Sequence, residues 1–181
     1  TVCHRLRWGR HTPQGLWDGG VPPLGGREND SAAANSPASP SANAAAQRLT
    51  ETLASEAGIR PQESVLDVGC GMGGSSIHLA RSLGCTVTGV TLSPFQRRWA
   101  TLAERCHGVG KSVNFRCADA EQVTFGEASC DVVGGVEFTG HIFDIGAFVR
   151  QVARWLKTRR RLAIGSWRDG EHQPHVEATH P

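Results

Sequence analysis

Val65-Leu66-Asp67-Val68-Gly69-Cys70-Gly71-Met72-Gly73-Gly74 is the stretch that decides the fold, because it has the pattern of a buried strand followed by a glycine-rich turn. The helical pattern that begins at Ser75 places this turn at the start of a helix, where the first main-chain N–H groups have no partner inside the helix. Glycine accepts positive φ and lets a ligand approach those N–H groups closely. The segment therefore predicts a binding turn for an adenosine-bearing cofactor.

Two classes of cofactor fit such a turn. Gly69, Gly71 and Gly74 also satisfy the G-x-G-x-x-G spacing of dinucleotide sites, in which an acidic residue that binds the ribose ends the next strand. Here the next predicted strand, 85–90, leads into Thr91-Leu92-Ser93-Pro94-Phe95-Gln96 and has no such acid. A dinucleotide site is therefore the weaker interpretation.

The acidic residue before the glycines favours a cationic nucleoside instead. Asp67 precedes them in the pattern D-x-G-x-G-x-G. S-adenosylmethionine has no phosphate but carries a sulfonium and an ammonium, and a carboxylate at this position suits those positive charges. The turn is therefore better matched to S-adenosylmethionine.

These motifs resemble those of the class I S-adenosylmethionine-dependent methyltransferases, in the branch of the gamma-tocopherol methyltransferases. The segments that carry the resemblance are VLDVGCGMGGSSIHLA (65–80), GVTLSPFQ (89–96), CADAEQVTF (117–125), CDVVGGVEFTGHIFD (130–144) and LAIGSW (162–167). The amino-terminal segments that begin at Trp8 and Gly15 are similar to the W-G-x-H and G-x-W-x-G motifs of the same branch.

The resemblance implies a role for individual residues. The glycine turn would face the methionine and ribose parts of S-adenosylmethionine, and Asp119 would bind the adenine amino group, although this carboxylate could instead cap the following turn. The expected cofactor-binding residues are Asp67, Gly69, Cys70, Gly71, Gly73, Thr91, Leu92, Gln96, Asp119 and Ala120.

Glu137 and His141 are the expected catalytic residues. Methyl transfer from a sulfonium is an in-line displacement in which positioning supplies most of the rate. A base is needed only when the acceptor carries a proton, as a phenol does, and a desolvated carboxylate or imidazole can accept it. Glu137 follows the predicted fourth strand and His141 lies one turn further if that loop is helical, but solvated loop side chains are the alternative for both.

The alternation of strands and helices predicts a doubly wound, mostly parallel Rossmann-like α/β sheet with helices on both faces. Ser93, Pro94 and Gln96 form a capping-box pattern for one helix, whose apolar face is expected to pack on the sheet through Phe95, Trp99, Leu102, Ala103 and Cys106. Predicted helices cover 44–57, 75–83, a segment from Pro94 and a stripe from Ile145 to Leu156; predicted strands cover 64–68, 85–90, 113–117, 131–136 and 162–166.

Four segments are expected along the chain. Residues 1–20 form a lid-like segment, 21–43 a flexible low-complexity linker, 44–168 the S-adenosylmethionine-binding domain and 169–181 a disordered tail. Relatives in this branch continue past the fifth strand, so the resemblance implies a truncated member that lacks the C-terminal strands. The alternative function is a catalytically silent fold that binds S-adenosylmethionine, or a partner chain through its open sheet edge.

Composition favours no charged partner. The chain of 181 residues is 39% hydrophobic and 20% charged, with a net charge of +2. No apolar run approaches the ~20 residues that span a bilayer, and we expect no secretory leader. The six cysteines include no C-x-x-C pair, so we expect reduced thiols and a cytoplasmic protein.

The remaining charged clusters have ordinary explanations. The basic run 157–161 is expected to be a solvated turn, because a nucleic-acid patch needs a wider stripe with aromatic residues. His172, His175 and His180 lack a zinc-type ligand set and are assigned to the tail. We therefore expect neither a nucleic-acid partner nor a metal. The resemblance implies S-adenosylmethionine-dependent methyl transfer to a small-molecule acceptor that is tocopherol-, quinone- or sterol-like or another secondary metabolite.

Overall fold

The structure, a computed structural model, describes residues 42–166 and 175–179. The predicted segment 1–20 and nearly all of 21–43 lie outside the described residues, so those predictions stay open. The helices are α1 Ala42–Glu56, α2 Gly74–Leu83, α3 Pro94–Cys106 and α4 Ile145–Trp155. The strands are β1 Ser64–Val68, β2 Thr86–Thr91, β3 Val113–Cys117, β4 Cys130–Val136, β5 Leu156–Ser166 and β6 His175–Thr179, and a 3-10 helix, Thr139–His141, follows β4.

The strands form one six-stranded sheet in the order β3-β2-β1-β4-β5-β6. All neighbours are parallel except β5 and β6, which are antiparallel. The order reverses between β1 and β4, and ligands of doubly wound sheets bind at the carboxyl ends of the strands at such a point. The predicted Rossmann-like fold is confirmed.

The core has one layer on each face of the sheet, because successive strand residues point to opposite sides. Val65 packs with Ile77 of α2 and Ala100 of α3 on one face. Leu66, its neighbour in β1, packs with Phe148 of α4 on the other. The glycine turn at the end of β1 is therefore held from both sides.

Helix α3 contacts the sheet through smaller side chains than the sequence predicted. Ala100 and Ala103 are its buried residues, whereas Phe95 and Leu102 are 67% and 42% exposed. The capping box is half present. Ser93 Oγ accepts a hydrogen bond from the Gln96 N–H at 3.3 Å, but the Gln96 side chain bonds Thr91 instead of returning to Ser93.

The basic run 157–161 belongs to strand β5 rather than to a solvated turn, which corrects the sequence-based interpretation. Helix α4 ends at Trp155 and β5 begins at Leu156, with no residue between them. Charge pairing explains the difference, since the cations of the run reach carboxylates at the amino-terminal ends of β1 and β4. The ion pairs are Lys157–Asp131 (2.8 Å), Arg160–Asp131 (3.2 Å), Arg160–Glu63 (3.1 Å) and Arg161–Glu63 (2.6 Å).

Two further expectations differ from the structure. Within the stretch 169–181, predicted as a disordered tail, residues His175–Thr179 form β6 and pair with β5 from Leu162 to Ser166. Cys106 is disulfide-bonded, so the prediction of reduced cysteines is wrong for this residue. Free thiols are present at Cys70, Cys85, Cys117 and Cys130, and all but Cys117 are buried.

The described ranges also bear on membranes and metals. Between residues 42 and 166, and in β6, no helix is long and apolar enough to cross a bilayer. In the same part of the chain, no group of three or more His, Cys, Asp or Glu side chains is arranged to hold a metal ion.

Candidate functional site

A cavity of about 280 Å³ opens at the carboxyl ends of β1 to β4, where the strand order reverses. Ligand pockets usually measure about 300–1,000 Å³, so this cavity lies just below that range. It is lined by nine residues that the sequence singled out: Gly69, Gly71, Thr91, Leu92, Gln96, Asp119, Ala120, Glu137 and His141.

The glycines of the turn serve two different purposes. Gly71 has φ +52°, and a Cβ built on it meets nothing within 4 Å, so its backbone borders open space in the cavity. Gly73 has φ +80°, but its Cβ would lie 2.5 Å from the Phe115 ring and 2.8 Å from Ala100. Gly71 thus leaves room for a ligand, whereas Gly73 allows α2 to start against α3 and β3.

Asp67 lies behind the glycine turn. Its buried carboxylate accepts a hydrogen bond from the Ser76 hydroxyl at 2.5 Å and lines a second cavity of about 30 Å³ together with Thr50 and Ser75. Burial raises the pKa of Asp67 to about 6, and the bond from Ser76 offsets part of that rise. This placement supports the shape of the turn and puts a titratable carboxylate beneath it.

Cys70 is directed into the core rather than into the cavity. A Cβ on Gly89 would lie 2.9 Å from its sulfur, and the Cys70 N–H donates to the Val90 carbonyl at 2.9 Å. Burial, and to a lesser degree the charge of Asp67, raise the pKa of the thiol, so it stays protonated and neutral. The contribution of Cys70 to the turn is therefore its backbone and its packing.

Thr91 organises the wall formed by the end of β2. Its hydroxyl donates to Gln96 Oε1 at 2.6 Å and accepts from the Ser93 N–H at 3.3 Å. This relay holds the Gln96 side chain at the start of α3, beside the cavity. Leu92, 65% exposed, adds an apolar surface at the mouth.

The turn after β3 is built around Asp119. Asp119 Oδ1 accepts from the Glu121 N–H at 2.9 Å, and Oδ2 accepts from the Gln122 side chain at 3.1 Å. The main chain closes the same turn, because the Val123 N–H donates to the Asp119 carbonyl at 2.8 Å. The carboxylate is thereby fixed at the cavity wall and is half-buried, so the capping role left open by the sequence is real and coexists with a place in the cavity.

Glu137 has a backbone conformation that is unusual for a residue with a side chain. Its φ is +58°, in the left-handed region, where L-residues other than glycine are strained. Its N–H donates to the Gly165 carbonyl of β5 at 2.8 Å, which holds this conformation in place. Strain of this kind clusters at functional sites, because it aims a side chain where regular structure would not.

His141 is the last residue of the 3-10 helix Thr139–His141. The loop after β4 is therefore helical, which is the condition under which the sequence predicted that His141 lies near Glu137. The His141 N–H donates to the Phe138 carbonyl at 3.0 Å, and its side chain is exposed at the cavity wall. Phe138 is 4% exposed and packs edge-to-face on Phe148, which anchors the loop in the core.

Sequence reasoning missed most of the apolar lining. Phe138 and Ile142 frame the side of the cavity formed by the loop after β4. The other apolar lining residues lie at strand ends: Val68 and Val136 are the last residues of β1 and β4, Val90 is next to last in β2, and Ala118 follows β3. The sequence marks these positions only by their place, since each lies within one residue of a strand end or of a predicted site residue. No motif marks such positions, because any apolar side chain of suitable size serves there.

A comparison with known protein families shows which family the chain belongs to. Residues 66–164, more than half of the chain, match the family described as "Methyltransferase domain". The chain belongs to this methyltransferase family. The resemblance to class I S-adenosylmethionine-dependent methyltransferases with tocopherol-methylating relatives is thereby confirmed.

Several curated methyltransferases are similar to the chain. A Synechocystis 2-methyl-6-phytyl-1,4-hydroquinone methyltransferase is 39% identical over 116 residues, 63% of this chain and 36% of that protein. A rice protein named probable tocopherol O-methyltransferase, chloroplastic, is 34% identical over 66% of this chain and 33% of its own length. The Amycolatopsis mediterranei 27-O-demethylrifamycin SV methyltransferase is 32% identical over 88% and 52%. The chain thus spans about a third to about half of the length of these relatives.

Solved structures agree on the fold. The crystal structure of the [4+2]-cyclase SpnF superposes with a TM-score of 0.65 at 28% identity, covering 67% of this chain and 45% of that one. A coclaurine N-methyltransferase bound to N-methylheliamine and SAH superposes with a TM-score of 0.62 at 25% identity, covering 67% and 36%. One fold therefore carries differently named activities, and the activity of this methyltransferase-family chain has to be argued from its own site.

Proposed function

We propose that this chain binds S-adenosylmethionine in the 280 Å³ cavity and transfers its methyl group to a small-molecule acceptor. The observation that carries the proposal is that one cavity at the switch point joins the glycine turn, the Asp119 turn and the Glu137 loop. These are the three segments to which the family resemblance assigns methionine, adenine and acceptor.

The residues present fit this cofactor better than a dinucleotide. At the end of β2, where a dinucleotide site has an acid, Thr91 is buried and its hydroxyl is bonded to Gln96. Asp67 places a carboxylate beneath the turn, where it favours positive charge. When bound, S-adenosylmethionine supplies an activated methyl group on a sulfonium. Of the residues predicted to hold it, we propose that those lining the cavity contact it, namely Gly69, Gly71, Thr91, Leu92, Gln96, Asp119 and Ala120. Asp67, Cys70 and Gly73 are proposed to act by shaping the turn.

Glu137 is the base that we propose for acceptors that lose a proton, with His141 as the other candidate. Glu137 is half-buried at the wall, and its constrained backbone gives the carboxylate a defined direction. His141 is exposed, so its imidazole is better suited to exchanging protons with solvent at the mouth. Phe138 and Ile142 exclude water around the acceptor, which strengthens electrostatic interactions there.

The acceptor that we propose is a small apolar molecule of the phenol or quinone type. The apolar wall and the names of the tocopherol and phytyl-hydroquinone relatives support this class. A nucleic-acid partner is not part of the proposal, since Lys157, Arg160 and Arg161 are already paired with carboxylates. A cytoplasmic location stays a prediction, as does self-association through a sheet edge, which sedimentation at several concentrations would measure.

Thermal denaturation with nucleoside ligands tests the cofactor. We expect S-adenosylhomocysteine at about 100 times its Kd to stabilise the chain by about 2.7 kcal/mol, and the same concentration of NADH to leave the midpoint unchanged. Methyl transfer from labelled S-adenosylmethionine to a panel of phenols then separates an enzyme from a silent binder. Stabilisation by NADH but not by S-adenosylhomocysteine would contradict the proposal, and binding without any transfer would support the silent alternative.

A further inference from the structure

One carboxylate joins two walls of the cavity. The cofactor turn, residues 118–123, follows β3, and the acceptor loop, residues 137–144, follows β4. Glu121 lies in the cofactor turn, and its side chain accepts hydrogen bonds from the Phe143 N–H at 3.0 Å and the Asp144 N–H at 2.9 Å. The two segments are separated in sequence by a full strand, yet they are tied across the site by these bonds.

The bonds form a continuous chain between the two halves of the proposed site. Asp119 Oδ1, the proposed partner of the adenine, accepts from the Glu121 N–H and so fixes the position of that residue. Asp144, held by Glu121, in turn caps α4 by accepting from the Ala147 N–H at 2.8 Å. Hydrogen bonds therefore connect Asp119 to the start of α4 through the carboxylates of Glu121 and Asp144.

The geometry of this link makes it directional and strong. Hydrogen bonds to an ionised acceptor are about twice as strong as neutral ones. The N–H groups of Phe143 and Asp144 each bind a different oxygen of the Glu121 carboxylate, which fixes the orientation of this side chain relative to the loop. Glu121 is half-buried, which reduces screening by water. A second tie runs parallel to it, because the Gln151 side chain of α4 donates to the Val123 carbonyl at 2.6 Å. The bond from Gln151 thus limits how far the acceptor loop can move when the Glu121 carboxylate is removed.

We propose that Glu121 is a positioning residue that couples occupation of the cofactor turn to the placement of the acceptor loop. The inference rests on the proposed function, since the ligand that fixes Asp119 is taken to be the adenine of S-adenosylmethionine. Glu121 is not among the residues that line the cavity, so its proposed role is exerted through the acceptor loop. By linkage, an acceptor that orders its loop would also tighten binding at the cofactor turn.

Amide hydrogen exchange of the full chain tests this link, first without ligand. Replacing Glu121 by Ala should speed exchange of the Phe143 and Asp144 amides about tenfold, because both lose a charge-assisted bond. Glu121→Gln keeps one acceptor oxygen and should restore part of the protection. Glu127→Ala removes an exposed carboxylate from the same β3–β4 connection and should behave like the parent.

The second arm adds S-adenosylhomocysteine. In the parent we expect slower exchange in both the cofactor turn and the acceptor loop, and in Glu121→Ala in the cofactor turn alone. Unchanged exchange at Phe143 and Asp144 without ligand overturns the link, and protection of the loop that persists in Glu121→Ala overturns the coupling. No response of the parent to the ligand overturns the proposed function and the coupling with it, while the ligand-free arm still decides whether Glu121 holds the loop.

Discussion

At the residue scale, two glycines two positions apart, Gly71 and Gly73, separate the folding role of the turn from its proposed binding role. A methyl group on Gly71 enters open space beside the cavity, whereas one on Gly73 meets the Phe115 ring. Both residues have positive φ, so alanine carries the same conformational penalty at each, about 1–2 kcal/mol. The difference between the two substitutions therefore isolates the surroundings of each residue.

We expect Gly71→Ala to lower the unfolding free energy by about 1–2 kcal/mol and to weaken S-adenosylhomocysteine binding about tenfold. Gly73→Ala should cost about 3 kcal/mol or more, since overpacking adds to the backbone penalty. Urea denaturation and calorimetric titration measure the two effects. Equal stability of the two variants would contradict the separate roles given to these glycines.

Glu137 supports a test of catalysis that leaves the backbone unchanged. We expect Glu137→Gln to keep binding of S-adenosylhomocysteine within about threefold while turnover of a phenolic acceptor falls at least about 100-fold, the usual contribution of a general base. His141→Asn should lower turnover far less, because the imidazole is exposed. Single-turnover kinetics with labelled methyl donor give both rates, and the reverse order would assign the base to His141.

At the element scale, ion pairs at the amino-terminal ends of β1, β4 and β5 hold the start of β5 in place, although no turn separates β5 from α4. Glu63 is 9% exposed and meets both Arg160 and Arg161, while Asp131 is 4% exposed and meets Lys157 and Arg160. A buried carboxylate that loses its cation is costly, because its desolvation is no longer compensated. The pairs therefore determine where β5 starts.

Replacing Arg161 by Met should lower the unfolding free energy by about 2 kcal/mol, because Glu63 loses the two hydrogen bonds from Arg161 but keeps its ion pair with Arg160. The matched control is Lys111→Met, which removes an exposed cation from the loop before β3 and should change stability by less than about 0.5 kcal/mol. Urea denaturation monitored by tryptophan fluorescence measures both. A loss no larger than that of the control would mean that the network contributes little to folding.

The elements also show what the sequence could predict. The glycine turn, the β2–α3 motif and the placement of Asp119 and Glu137 at strand ends were predictable, because backbone constraints and parallel-sheet geometry fix them locally. The start of β5 was not, since it depends on Glu63 and Asp131, which lie far away in sequence. The buried face of α3 was predicted only in part, since Ala103 was expected there but Ala100 was not, and close packing of this helix selects these two residues over the larger Phe95 and Leu102.

At the scale of the whole molecule, two buried aspartates give stability opposite dependences on pH. The pKa of Asp67 is raised to about 6 because burial disfavours its charge. For Asp131 burial also raises the pKa, but hydrogen bonds from Lys157 and Ser64 outweigh it and hold the pKa at about 2. The ordinary value for both is 3.8.

Asp67 should therefore add stability as pH falls from about 6 to about 4, since its protonated form is favoured in the folded chain. Asp131 stabilises above its ordinary pKa, and that contribution should be lost as pH falls from about 4 to about 2. Denaturation at a series of pH values, with Asp67→Asn and Asp131→Asn for comparison, separates the contribution of Asp67 to the unfolding free energy from that of Asp131. A parent curve parallel to that of Asp67→Asn between pH 4 and 6 would contradict the raised pKa.

The direct passage from α4 into β5 has a consequence for how this protein can vary. Trp155 ends the helix and Leu156 begins the strand, and the carbonyls of Arg154 and Trp155 accept bonds from the N–H groups of Ala128 and Ser129. The pairing of β5 with β4 is irregular just after this junction, because Leu156 lies opposite Cys130 whereas Arg161 lies opposite Val132, so that β5 advances by five residues where β4 advances by two. A residue inserted between Leu156 and Arg161 can therefore be absorbed in this irregular stretch, while the regular pairs from Val132–Arg161 to Val136–Gly165 keep their register.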